Sequence, residues 1–217
     1  GEFIKYNSNT VTGPGNSDAG TTAIVDSIKT AKNGTVYYIN RILEFSEKTV
    51  GKHVETLGTP TTSQFNYFWQ YLKNSSIYNA TTGEIQQVAS GSFYTIFAPN
   101  NAAITAAVTA GFLPGTGSTP NFNPSALADK EKVNNFLHYH ILNKKNVATD
   151  GQESGSFEAI FKFPNGDPSS IFVNNTVPNN MVLTDMLNRT ANVVTGSSNN
   201  LSNRCTIHLI DNYLRRN

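Results

Sequence analysis

Apolar side chains recur along this chain in two rhythms, and the change from one to the other divides it. Phe65, Phe68, Trp69 and Leu72 fall at i, i+3, i+4 and i+7, one apolar stripe that predicts a helix over 65–72, with Ser63 or Thr62 placed to cap its start. From Phe93 to Ala98 the run is apolar and strand-like and is stopped by Pro99. Asn100 or Asn101 can then cap an alanine-rich helix through Ala110, closed by Gly111. A second strong helix is expected over 125–142, with Leu127, Val133, Leu137, His140 and Ile141 inward and Phe136 at the boundary. After Asn143 the pattern becomes β-like over 157–163, 170–173, 181–184, 191–195 and 205–211, with Pro164-Asn165-Gly166-Asp167 as a hairpin turn. Helices followed by a run of antiparallel strands argue an α+β fold.

Ahead of this pattern, residues 1–43 are loop-rich, with turn signals at Thr12-Gly13-Pro14-Gly15 and Lys32-Asn33-Gly34. Val36-Tyr37-Tyr38-Ile39 reads as a strand and Phe3-Ile4-Lys5-Tyr6 as a weaker one. This segment repeats the end of the chain. Thr22-Ala23-Ile24-Val25 aligns with Thr190-Ala191-Asn192-Val193, and Val36-Tyr37-Tyr38-Ile39-Asn40-Arg41-Ile42-Leu43 aligns with Ile207-His208-Leu209-Ile210-Asp211-Asn212-Tyr213-Leu214. The expected organisation is therefore residues 1–44 as the closing part of one domain and 45–217 as a complete second copy, with the break near Phe45-Ser46-Glu47.

Three stretches carry a resemblance. Tyr94-Thr95-Ile96-Phe97-Ala98-Pro99-Asn100-Asn101-Ala102-Ala103, Phe136-Leu137-His138-Tyr139-His140-Ile141-Leu142 and Ile207-His208-Leu209-Ile210-Asp211-Asn212-Tyr213-Leu214 together resemble, in order and spacing, the three motifs of the fasciclin (FAS1) domain family. The resemblance implies a β-wedge or sandwich of antiparallel strands with packed helices, often arrayed in tandem on cell surfaces. It also marks Tyr139 and His140 as the family's Tyr-His pair, a region tied to integrin binding in animal matrix members. Two positions depart from the motif: Asn101 stands where Asp is common, and Ile104 where an aromatic is common. The loop from Gly115 to Pro124 also looks long.

Composition narrows the function classes. Lys+Arg is 16 and Asp+Glu 15, a net charge of +1, which leaves no basic footprint for nucleic acid and no polybasic membrane patch. Charge is replaced by 28 Asn, 24 Thr and 18 Ser, a composition that suits an exported protein. The one cysteine, Cys205, excludes an internal disulfide and favours a bacterial envelope or secreted protein over a small disulfide-rich domain. The chain starts at Gly1 rather than Met, so an export signal or anchor is expected N-terminal to it.

Candidate chemistry is sparse. His138 and His140 sit two apart on the expected helix and diverge by roughly 200°, so they cannot chelate one metal together. There is no G-x-S-x-G, no phosphate loop, and no Cys/His spacing for zinc. The expected answer is no catalytic residue, no metal and no cofactor. His140 is expected to face the core and satisfy buried groups, and Phe97, Pro99, Asn101, Tyr139, His208 and Asp211 to be structural with it. Cys205 is expected to be buried and inert, sharing a strand face with Ile207 and Leu209. Tyr67 and Tyr71 lie off the core stripe of their helix and are candidate exposed contacts for sugar or protein. The functional expectation is a noncatalytic extracellular adhesion or binding module from a tandem surface protein, anchored through its missing N-terminal region. Its partners would be a protein or glycan on a cell surface or matrix and a neighbouring fasciclin domain. The alternative is a carbohydrate-binding or spacer domain in a bacterial glycan-uptake or envelope assembly.

Overall fold

β-branched and aromatic residues punctuated by two-residue turns give the N-terminal segment a sheet of its own. In the computed structural model, which describes residues 3–216, β1 (Lys5–Asn7), β2 (Thr10–Thr12), β3 (Ala23–Ala31) and β4 (Gly34–Ile39) form a four-stranded antiparallel sheet in that order. A single-turn helix, α1 (Pro14–Asp18), links β2 to β3 with Pro14 at its first position, where no amide is needed. Val11, Ala23 and Val25 are buried on one face with Ile39 and Leu43 against them. Both faces of β4 carry large exposed apolar side chains.

The remaining chain builds a second, larger unit. Two helices, α2 (Val50–Gly58) and α3 (Asn66–Asn74), pack together where Gly58 lacks a side chain, since a Cβ there would lie 2.2 Å from Trp69 Cβ. The predicted 65–72 helix is α3, but neither Ser63 nor Thr62 caps it: the N-cap position is Phe65, which makes no side-chain cap bond. The second helix, α2, carries only Val50, Val54 and Leu57 as apolar positions, too few to stand out in the sequence. Then β5 (Tyr94–Pro99) leads into α4 (Asn101–Thr109), whose cap is Asn100, its Oδ1 accepting from Ala103 N at 2.8 Å. The Gly115–Pro124 stretch is a small hairpin of β6 (Gly115–Thr116) and β7 (Thr119–Pro120) seated on α4.

The expected 125–142 helix is shorter. It ends as α5 (Leu127–Tyr139); His140 caps it, and Ile141 and Leu142 leave the helix as β8 (Ile141–Asn143). Both residues are buried, one on each face of the sheet, which a strand allows and a continuing helix would not. Leu127, expected inward, is exposed in the first turn, and Phe136 is buried rather than at the boundary. The strands that follow are β9 (Gly155–Lys162), β10 (Pro168–Asn174), β11 (Val182–Thr184), β12 (Thr190–Asn192), β13 (Asn200–Ser202) and β14 (Cys205–Ile210). Only β13, three polar-flanked residues, was not anticipated.

These strands join β5 and β8 in one eight-stranded sheet, β12-β11-β10-β9-β8-β5-β14-β13, in which β5–β14 is parallel and the other pairs antiparallel. The sheet folds back on itself: Val193, just past β12, bridges to Ile210 of β14 near the opposite end. One apolar cluster fills the wedge between its two halves, with Phe97, Leu142, Ile171, Val173, Leu183 and Ile210. A second lies between the outer face of β5 and β14 and the helices, where Ile96, Ala98, Cys205, Ile207 and Leu209 meet Phe68, Leu72, Ile104 and Leu137. The strand alternation read from the sequence, Cys205, Ile207 and Leu209 against Ile210, divides these two clusters.

The aligned segments share one register. Tyr6 pairs with Val11 and Val11 with Ala23; in the same strand order, though with connections of different length, Val173 pairs with Leu183 and Leu183 with Ala191. Lys29 pairs with Val36 and Ala31 with Gly34, as Asn200 pairs with Ile207 and Ser202 with Cys205. The side-chain clamps repeat too. Asn40 accepts from Ile24 N through Oδ1 at 2.9 Å and donates its own N–H to Ile24 O at 3.1 Å. Asp211 does the same with Asn192, at 2.7 and 3.0 Å. Glu44 N donates to Asn16 Oδ1 at 3.0 Å, and Arg215 N to Asp185 Oδ2 at 2.8 Å. Each residue of the small cluster has its counterpart in the wedge: Val11 and Leu183, Ala23 and Ala191, Val25 and Val193, Ile39 and Ile210, Leu43 and Leu214.

Candidate functional site

The Tyr-His pair lies where α5 ends and the chain turns into β8, and both side chains point inside. Tyr139 is buried and its hydroxyl donates to Ser170 O at 3.0 Å while accepting from Met186 N at 3.3 Å, which ties the helix end to β10 and to the β11–β12 turn. Burial pushes this phenol up to about 12. His140 is fully buried against Phe136, ring centroids 4.2 Å apart. Its Nδ1 donates to Phe136 O at 2.7 Å and its Nε2 accepts from Leu214 N at 3.0 Å. One nitrogen faces an acceptor and the other a donor, so the ring is the neutral Nδ1–H tautomer. Burial holds its pKa down to about 4.

His208 of β14 is built alike. It stacks on Phe97 at 5.6 Å, its Nε2 donates to Val147 O at 2.9 Å, and its Nδ1 accepts from Asn199 N at 3.3 Å. Burial again lowers its pKa to about 4. His138 points away from His140, with Nε2 on Gln86 O at 3.2 Å. Among the described residues no group of three or more His, Cys, Asp and Glu side chains is arranged to hold a metal. Cys205 is buried, and burial raises its thiol pKa.

Two further motif residues serve the frame. Asn101 accepts from Tyr67 N through Oδ1 at 2.9 Å and donates Nδ2 to Ser63 O at 2.9 Å, so it secures the start of α3 from the neighbouring helix. An Asp in its place could only accept, which gives the departure from the motif a physical use. Asp211 holds the Asn192 backbone and side-chain amides at 2.7 and 2.8 Å and so closes the two ends of the wedge.

The tyrosines of α3 do not form an exposed pair. Tyr71 is buried and donates its hydroxyl to Pro114 O at 2.7 Å, and Tyr67 is half-buried. Phe122, from the loop after β7, packs edge-on to both rings at 4.9 and 5.2 Å. The apolar stripe of α3 is therefore wider than four residues, because the 115–124 loop covers a second side of the helix.

One polar cluster has no signal in the sequence, since its members come from separate elements. Asp18 of α1 accepts from Ser46 Oγ at 2.5 Å and pairs with Lys48 Nζ at 3.1 Å, while His53 Nδ1 lies 3.6 Å away, beyond hydrogen-bond distance. It joins the N-terminal sheet to the larger unit, and Asn203 Nδ2 adds a bond to Ser46 O at 3.0 Å. Serine, histidine and aspartate meet here, but in the wrong order for a hydrolase. The Ser46 proton goes to Asp18, so His53 Nε2, 2.9 Å from Oγ, must donate rather than accept. Ser46 is also buried. The geometry is that of a clasp. Elsewhere, the guanidinium carbons of Arg189, Arg215 and Arg216 sit over the rings of Tyr213, Phe112 and Phe161 at 4.3, 4.0 and 4.0 Å.

Comparison with known proteins agrees with this frame. The fasciclin domain family profile matches residues 63–216, which runs from just ahead of α3 through every strand of the wedge. Among solved structures, the chain is similar to a FAS1 domain pair from the insect cell adhesion molecule fasciclin I, at 17% identity and a TM-score of 0.46 over 99% of this chain. It spans 66% of that structure's length. No curated protein matches it. The profile covers well over half of the chain and takes in all three motif stretches, so the chain belongs to the fasciclin domain family.

Proposed function

We propose that this chain is a noncatalytic adhesion or binding module that works outside the cell, as part of a tandem fasciclin-domain protein held at the cell surface or outer envelope. What carries the reading is membership of a family of cell-adhesion domains over residues 63–216, all of the larger unit except α2 and the turn after it. The motif side chains support it. Tyr139, His140, His208 and Asp211 each bind backbone groups of their own fold, so recognition falls to exposed loops and helix faces. Repeated domains would add avidity to contacts that are individually weak. The glycan-platform alternative gains nothing from α3, where Tyr71 is buried.

An array of glycans and matrix proteins, probed with the chain as a monomer and as an artificial cluster, tests the proposal. Saturable binding to one ligand class, stronger for the clustered form, is expected. A folded chain that binds nothing in either form overturns it and leaves a spacer role.

A further inference from the structure

The shared register between the two segments shows what the N-terminal sheet lacks. β14 is six residues long, pairs with β13 on one side and lies parallel to all six residues of β5 on the other. Its counterpart β4 is also six residues long and, among the described residues, pairs with β3 alone. The exposure of matched positions differs accordingly. Val36 is 51% exposed where Ile207 is 0%, and Tyr38 is 54% exposed where Leu209 is 2%. Ile42 is 78% exposed where Tyr213, set against Phe112 just after α4, is 6%. Positions matched to the wedge interior, such as Ala23 and Val25, are by contrast already buried. Edge strands are normally blunted by charge, proline or a bulge. β4, Gly-Thr-Val-Tyr-Tyr-Ile, has no charged residue and no proline, and presents apolar rings on both faces, the make-up of an interior strand.

We propose that the outer edge of β4 is a strand acceptor for a β5-like strand of the same polypeptide lying N-terminal to Gly1, docked in parallel, with the helix after that strand covering Val36, Tyr38 and Ile42. The occupant is inferred from the larger unit, where β5 pairs along β14 and Ile207, Leu209 and Tyr213 share one apolar cluster with Ile104 and Val108 of α4. A second copy pairing edge to edge through β4 would satisfy the strand but leave Ile42 uncovered. The inference rests on the tandem part of the reading above and not on adhesion.

The test compares the 217-residue chain with the same chain extended by the codons that precede Gly1 in its gene. The upstream sequence is expected to carry an apolar strand closed by a helix cap, as far ahead of β4 as β5 is ahead of β14. Amide exchange in β4 should slow by about 100-fold or more in the longer chain. The double variant Val36→Asp, Tyr38→Asp should move the Tm of the 217-residue chain by no more than about 1 °C and lower the first transition of the longer chain by about 5 °C or more. Absence of such an upstream strand, equal β4 exchange in both chains, or an equally mild variant in both overturns the proposal. So does a concentration-dependent dimer abolished by the same substitutions, which assigns the edge to a second copy. A failed adhesion array with a protected β4 leaves the inference standing, so the two readings fail separately.

Discussion

Leu214 donates its backbone N–H to Nε2 of His140 at 3.0 Å, across 74 residues of sequence. The bond joins the end of α5 to the segment after β14, and the opposite nitrogen of the same ring is held by Phe136 O. A side chain fixed at both nitrogens and sealed from water has nothing left to offer a ligand. Its role is to hold the neutral form of the fold together.

That role has a pH signature. His140 and His208 are depressed to about 4 by burial, against 6.5 for an open histidine. The unfolded chain therefore binds more protons between these values, and stability must fall as pH drops from about 6.5 towards 4. The full effect is on the order of 3 kcal/mol per histidine. Thermal melts at pH 7 and pH 5 should show a clearly lower midpoint at pH 5. Replacing His208 with Asn should flatten part of that slope.

Asn101 provides a second test. Losing both its bonds in Asn101→Ala should cost about 1–2 kcal/mol, read by urea denaturation. Asn101→Asp keeps the acceptor for Tyr67 N and loses only the donor to Ser63 O, so it should fall between the parent and the alanine variant.

Close approach of α2 and α3 depends on one missing methyl group. In Gly58→Ala the new Cβ would meet Trp69 Cβ at 2.2 Å. The helices must separate, at a cost of about 1–3 kcal/mol. Trp69 is the chain's one tryptophan and is buried, so its emission should shift to the red in the variant.

Asp18 should be a joint rather than a core residue. Asp18→Ala removes the partner of Ser46 and Lys48. Amide exchange over residues 5–39 should rise, while the strands from β5 to β14 keep their protection. Equal loss in both regions would show that Asp18 supports the larger unit instead.

Much of this was legible in the sequence, and the failures have physical causes. Strong periodicity placed α3, β5, α4 and the late strands. Asn100 marked its helix by the capping chemistry it performs. The repeat is a reading of the sequence that rests on paired positions of like character: alanine at 23 and 191, β-branched residues at 25 and 193. What failed depended on partners distant in sequence. Ile141 and Leu142 continue the helical stripe and become a strand only because β5 offers an edge beside them. Tyr71 looked free because the residue that covers it, Phe122, arrives from a polar loop. The Asp18 clasp draws on three separate segments and has no local pattern at all.

The central claim is that the Tyr-His motif serves the frame and that recognition lies on the surface built around it. The most direct test is His140→Ala, with its melting midpoint measured beside its binding to the array as a clustered form. The account predicts a midpoint several degrees lower, with the fraction that remains folded binding as the parent does. An unchanged midpoint with lost binding would contradict it and make His140 a ligand contact.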